Sequence, residues 1–142
     1  MNRTDINRED YVLVSRNTPL ISNLDMIENI SLIKEVHEFM PTKKAKELAL
    51  TYLKNLGLED IANKRVINCS SNEIIYVMLI RAMMMPQKSI LLQAPYSITT
   101  NLGDIKTILC NISKLTNLKK IFIFDVAINE YHYEGAPCSI VK

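Results

Sequence analysis

The sequence is poor in glycine, with only Gly57, Gly103 and Gly135 among 142 residues. A loop that cradles phosphate needs glycines close together, so that backbone N–H groups can approach the anion. Three glycines this far apart cannot build a G-x-x-x-x-G-K-S/T loop. Tryptophan is absent, and His37 and His132 are the only histidines. They stand far apart, with no cysteine or carboxylate at ligand spacing, which argues against a metal centre. The cysteines are Cys69, Cys110 and Cys138. An odd number without a C-x-x-C pair supports neither a disulfide framework nor a zinc site, and reads as reduced thiols in a reducing compartment. No apolar run approaches the ~20 residues of a membrane span, and Met1–Asp10 is too polar for a signal peptide. The net charge is +2 and is spread along the chain, with no basic block or acidic tail. These absences predict a cytoplasmic protein without direct membrane insertion and without nucleic acid as a partner.

What is present suffices for one core, since 48% of the residues are hydrophobic and the length fits a single domain. Tyr11-Val-Leu-Val14 reads as a strand, broken by Thr18-Pro19. Met26, Ile27, Ile30, Ile33 and Val36 recur at near-helical spacing over Asp25–Glu38. A second helix starts after Pro41 with Thr42 as the expected N-cap. Its apolar face is Ala45, Leu48, Ala49, Tyr52, Leu53 and Leu56, and Gly57 is its natural stop. After a polar connection over Glu59–Asn68, Ser70 with Glu73 forms a capping-box pattern for a helix that Pro86 ends. Ser89-Ile-Leu-Leu92 and Ile121-Phe-Ile-Phe124 read as buried parallel strands, with a helix over Asn101–Leu115 between them. The tail, Glu130–Lys142, suggests a small hairpin in which Tyr131 and Tyr133 share a face. Met78 and Met83-Met84-Met85 read as core rather than as an adaptable surface. Strands alternating with helices predict an α/β fold: a mainly parallel sheet flanked by helices, with a helical insertion.

Several segments, in this order, resemble the ATP-binding cassette (ABC) transporter ATPases. Tyr11-Val-Leu-Val-Ser-Arg-Asn-Thr-Pro-Leu20 resembles the family's Q-loop segment. Asn23-Leu-Asp-Met-Ile-Glu-Asn-Ile30 resembles the T-V-x-E-N-I/V stretch that opens the helical subdomain. Leu53-Lys-Asn-Leu-Gly-Leu-Glu-Asp-Ile-Ala62 is similar to L-x-x-V/L-G-L-x-x-x-A, and Val77-Met-Leu-Ile-Arg-Ala82 to V-A-I-A-R-A. Pro86–Ser97 is similar to the Walker B stretch P-K-I-L-L-L-D-E-P-T-S, and Lys119–Ala127 to the strand carrying the switch histidine. The resemblance implies one domain over 1–142: a partial P-loop ABC ATPase fold lacking the Walker A segment, with a helical subdomain-like part at about 24–85.

The same resemblance implies that the chemistry is missing. The Q-loop glutamine falls on Arg16, a permanent cation that repels Mg²⁺, although an arginine there also reads as an ordinary surface residue. The signature L-S-G-G-Q falls on Cys69-Ser70-Ser71-Asn72-Glu73, where Glu73 would repel a γ-phosphate. The Walker B Asp-Glu pair falls on Gln93-Ala94, so the metal ligand and the group that polarises water are both absent. The switch histidine falls on Val126 and the D-loop aspartate near Thr100. The expectation is a non-enzyme with no catalytic, cofactor-binding or metal-binding residues. It would be an accessory or structural subunit of an ABC-type transport system, with an ABC permease, an intact ABC ATPase subunit, or both as partners. Alternatives are a stand-alone regulator or scaffold on the same fold and, last, a weak nucleotide binder. The surface that receives a permease in the family maps to Arg16, Pro19, Leu20, Ile21, Leu24 and Met26 as partner contacts. The family's Walker A strand is expected beside the Walker B strand, so its absence would leave a gap between Ser89–Leu92 and Ile121–Phe124. Closure of the sheet by direct pairing is expected over a strand donated by another chain.

Overall fold

The computed structural model describes residues 11–99, 101–115, 119–125 and 139–141. It divides into two compact units. One comprises the described residues up to Pro19 and from Pro86 onward, and the other is Leu20–Met85.

The first unit is a parallel sheet in the order β1-β2-β3-β4, formed by Tyr11–Val14, Ser89–Gln93, Lys120–Phe124 and Ser139–Val141. Val12 lies opposite Ile90, Ile90 opposite Ile121 and Ile123 opposite Ile140. β2 and β3 thus pair directly over their whole length. The closure expected by direct pairing is what the sheet shows: each strand satisfies the other's backbone N–H and C=O groups, as buried strands require. Of the tail in which a hairpin is expected, Glu130–Lys142, only Ser139–Val141 is described, as a strand parallel to β3, and the rest of that expectation lies outside the described residues. Tyr131, His132, Tyr133 and Cys138 lie outside the described residues. Along β2 and β3 burial alternates, with Ile90, Leu92, Ile121 and Ile123 inward and Leu91 and Phe122 half-buried. A helix, Ile105–Ser113 (called α5 below), adds Ile105, Ile108, Leu109 and Ile112 to the buried set. It begins four residues after Asn101, because Asp104 caps it: Asp104 Oδ1 accepts from the Lys106 N–H at 3.0 Å.

The second unit is helical. α1 spans Met26–His37, α2 Thr42–Asn55 and α3 Ser71–Met83. Thr42 is the first residue of α2 rather than its N-cap. Pro41 precedes it as the cap, and the Thr42 hydroxyl donates instead to Glu35 Oε1 at 2.6 Å. Gly57 ends α2 as expected, at φ +70°. The Leu58 N–H reaches the Leu53 carbonyl at 2.8 Å and the Gly57 N–H that of Lys54 at 3.0 Å, the paired bonds of a glycine-terminated helix. The capping box of α3 is present, with the Ser70 N–H donating to Glu73 Oε1 at 2.8 Å and the Glu73 N–H to Ser70 Oγ at 3.2 Å. The connection Glu59–Asn68 holds two single 3₁₀ turns. It also does something the sequence concealed: the carbonyls of Lys64 and Ala62 accept from the Met26 and Ile27 N–H groups, each at 2.9 Å, satisfying donors that α1 cannot satisfy itself. Met78, Met83 and Met84 are buried in the core.

The chain reverses from α1 to α2 through Phe39, an aromatic residue held at φ +54° with 88% of its surface exposed.

Candidate functional site

Parallel sheets place ligands at the carboxyl ends of their strands, and the chain carries a cavity there. β1 leaves the sheet through a turn fixed by its own hydroxyls. The Ser15 N–H donates to Thr18 Oγ1 at 2.9 Å, the Asn17 N–H to Ser15 Oγ at 3.1 Å and the Thr18 N–H to the Ser15 carbonyl at 3.1 Å. Ser15 is thereby buried, while Arg16 and Asn17 are pushed outward and exposed.

β2 ends at Gln93, and Ala94 then adopts a left-handed conformation, φ +44° and ψ +61°. A residue with a Cβ is seldom found there, at a cost of about 1–2 kcal/mol. The position is held from both sides. The Ala94 N–H donates to the Phe124 carbonyl at 2.6 Å, and its own carbonyl accepts the Ser97 N–H at 2.8 Å and hydroxyl at 2.6 Å. A short helix, α4, follows over Pro95–Ile98. The two turns flank an open cleft of about 190 Å³ lined by Ser15, Arg16, Asn17, Gln93, Ala94 and Ser97.

This cavity brings together the residues aligned with the Q-loop glutamine and the Walker B pair: Arg16, Gln93 and Ala94. Arg16 carries the only formal charge among the lining residues, and no carboxylate lines the cavity. Among the described residues, no cluster of His, Cys, Asp or Glu could hold a metal ion. Val126 and Thr100, aligned with the switch histidine and the D-loop aspartate, lie outside the described residues. Asn17, Ser15 and Ser97 were not singled out from the sequence. The signal that could have found them is position alone, since each follows the carboxyl end of a strand.

The remaining expected contacts do not gather here. Leu20 is 8% exposed and Met26 fully buried. Both are corrected from partner contacts to core, where their apolar side chains lose least to water. Leu24 is half-buried, while Pro19 and Ile21 are exposed. Ile21 belongs to a loop clamped by Asn29, the asparagine of the E-N pair. Asn29 Oδ1 accepts from the Ile21 N–H at 2.7 Å, and Nδ2 donates to the carbonyls of Ile21 at 3.1 Å, Asp25 at 3.2 Å and Leu24 at 3.4 Å. That clamp holds Ile21, Ser22 and Asn23 outward on a fixed backbone.

At the signature position, Ser70 and Glu73 are engaged as the cap of α3. Burial, with the Glu73 carboxylate second, pushes the Cys69 thiol up, against a smaller pull from Lys64. A raised thiol is mostly protonated and a poor nucleophile. Burial also lowers the Arg81 guanidinium from its usual value.

No protein-family model matches the chain, and no curated protein matches it in sequence. Its fold does match solved structures. It superposes on the ATP-binding cassette MJ0796, described in a dimeric post-hydrolysis state bound to ADP and phosphate, with a TM-score of 0.64 and 24% identity over 88% of this chain. It also superposes on a nucleotide-free ATP-binding cassette from an ABC transporter, with a TM-score of 0.62 and 17% identity over 85% of this chain. The chain spans 59% and 53% of the lengths of those two proteins. The likeness establishes an α/β fold of the ATP-binding cassette type over part of its extent. No helix among the described residues is long and apolar enough to cross a membrane.

Proposed function

We propose that this chain is a non-catalytic member of the ATP-binding cassette fold, acting through protein contacts as an accessory or structural subunit of an ABC-type transport system. The observation that carries this reading is the cavity at the ends of β1 and β2. It holds a guanidinium, two carboxamides, two hydroxyls and a methyl group, and no acid. Hydrolysis of a nucleotide triphosphate needs a ligand for Mg²⁺ and a group that polarises water. Gln93 has no charge with which to hold the metal, and Ala94 cannot accept a proton. Arg16 repels a cation from the same space.

The partners we propose are an ABC permease, an intact cassette subunit, or both. The contact of choice is the loop that Asn29 holds in place. Ile21 is 42% exposed, and a rigid loop carrying an exposed apolar residue loses little entropy on docking.

Mg-ATP turnover and isothermal titration test the first half. The expected results are turnover no faster than a buffer blank and no sub-micromolar binding. Hydrolysis above the blank refutes the reading. Ile21→Asp tests the second half: co-purification with membranes should be lost while the circular dichroism spectrum is unchanged. Retention of co-purification in this variant rules out the loop as the contact.

A further inference from the structure

The turn between α1 and α2 holds an aromatic ring in water at a cost to its own backbone. Phe39 is 88% exposed and sits at φ +54°, a conformation that residues with a Cβ seldom adopt. The turn is fixed. The Lys34 carbonyl accepts from the Glu38 N–H at 3.0 Å and from the Met40 N–H at 3.2 Å, and the Thr42 hydroxyl ties the start of α2 back to Glu35. Val36, near the end of α1, is 58% exposed. An apolar side chain stabilises a fold by leaving water, and these two do not leave it. Strain that the surroundings hold in place recurs at functional positions.

The charges that follow the ring are as poorly explained by folding. Lys34 pairs with Glu38. That leaves Lys43, Lys44 and Lys46 against Glu35 and, one residue on, Glu47. Lys43 and Lys44 are exposed and Lys46 is half-buried, and none of the three forms an ion pair with a described residue. The first turn of α2 holds no acid. A helix prefers carboxylates there, and lysines at that end oppose its dipole. An exposed ring and uncompensated lysines thus stand together on a rigid turn, and each costs the fold stability.

We propose that this turn is a contact for an anionic lipid surface. Phe39, with Val36 behind it, enters the headgroup layer, and Lys43, Lys44 and Lys46 meet the negative charges of the lipids. A ring this exposed has almost no protein walls around it, so it is a feature that inserts rather than one that receives. A protein partner would have to supply a pocket shaped to the ring. A bilayer accepts any apolar protrusion, and lysines on flexible stems suit its interface. One ring and three lysines give weak, reversible attachment, which adds to a protein contact and does not replace it. The lipid contact needs neither the Ile21 loop nor a transport partner, so the purified chain tests it apart from the function proposed above.

The test is flotation of the purified full chain with vesicles of phosphatidylserine and phosphatidylcholine, roughly one part to two, at low salt. The parent should bind these vesicles and should not bind phosphatidylcholine alone. Added salt should release it, because screening shortens the reach of the lysines. Lys43→Gln combined with Lys44→Gln should weaken partitioning about tenfold or more, at roughly fivefold for each lysine near the surface. Phe39→Gly should weaken it roughly fivefold or more, the loss of a partly buried ring. Glycine suits the left-handed backbone, so circular dichroism should match the parent. Lys54→Gln combined with Lys88→Gln removes the same charge elsewhere and should change partitioning by less than about twofold. Equal partitioning of the parent and Phe39→Gly overturns the proposal, as does an equal loss from the Lys54 and Lys88 pair. Binding to a polyglutamate peptide without binding to the vesicles also overturns it, and reassigns the turn to an acidic protein.

Discussion

Polar side chains are used differently in the two units. In Leu20–Met85, those withdrawn from water are engaged within the fold. Asn29, 2% exposed, makes four bonds to the loop before it. The Ser31 hydroxyl donates to Glu35 Oε2 at 3.2 Å, and Ser70 with Glu73 closes the start of α3. At the carboxyl ends of β1 and β2 the pattern is reversed. Ser15 and Thr18 hold their turn, but Arg16, Asn17 and Gln93 face a cavity with no partner among the described residues. A side chain already satisfied within the fold has nothing to offer a ligand, and its removal exposes orphaned groups. One left unsatisfied contributes little to stability and remains available. The contrast therefore separates positions that matter for folding from positions that matter for binding.

The largest test of this contrast is Asn29→Ala. It removes the acceptor for the Ile21 N–H and the donors for three carbonyls in a buried setting. The expected cost is about 2–4 kcal/mol, the range for stranding buried polar groups. Arg16→Gln should change stability by less than about 0.5 kcal/mol, as exposed substitutions do. Urea unfolding of both variants compares them directly. Equal costs would erase the distinction between the two regions.

A smaller effect, of opposite sign, is expected at Phe39. The left-handed conformation there costs about 1–2 kcal/mol for a residue with a Cβ, and at 88% exposure the ring gains little from packing. Glycine removes that strain but adds about 0.5–1 kcal/mol of chain entropy. Phe39→Gly should therefore stabilise the protein by roughly 0.5–1 kcal/mol, read as a higher urea midpoint at an unchanged slope. A lower midpoint would show that Phe39 packs in a way its exposure denies.

Much of this was legible in the sequence, for identifiable reasons. Gly57 and the Ser70–Glu73 pair act within a few residues of themselves, so local chemistry reveals them. The apolar runs at Ser89 and Ile121 announce strands because period and composition agree. What stayed hidden depends on distance or direction. Lys64 and Ala62 cap α1 through their carbonyls, which every residue possesses. Leu20 and Met26 looked like contacts because apolar residues in a loop or at the first position of a helix suit either a surface or a core, and only the packed chain decides. Of the site, the substitutions at Arg16, Gln93 and Ala94 could be read by resemblance. The convergence of Asn17 and Ser97 beside them needed the two turns to be in place.

The smallest effect is at the start of α5, where the sheet-bearing unit does use a polar side chain for structure. Asp104 caps the helix. The Thr107 hydroxyl donates to Oδ2 at 3.0 Å and the Lys106 N–H to Oδ1 at 3.0 Å. The Thr107 bond first, then the Lys106 N–H, hold the Asp104 carboxyl below its ordinary value. A carboxyl lowered by folding adds stability above its unfolded value, about 3.9, and that contribution is lost as the pH falls through the folded value. Asp104→Asn keeps a capping oxygen but removes the charge. The parent should therefore be slightly more stable than Asp104→Asn at pH 7, and the difference should shrink as the pH drops below about 4. Because acid protonates the other carboxyls in both proteins alike, the difference between them isolates this one. A gap that stays constant down to pH 3 would assign the effect to the shape of the cap rather than to its charge. Asp104 would then join Asn29 as a residue whose geometry, not its ionisation, supports the fold.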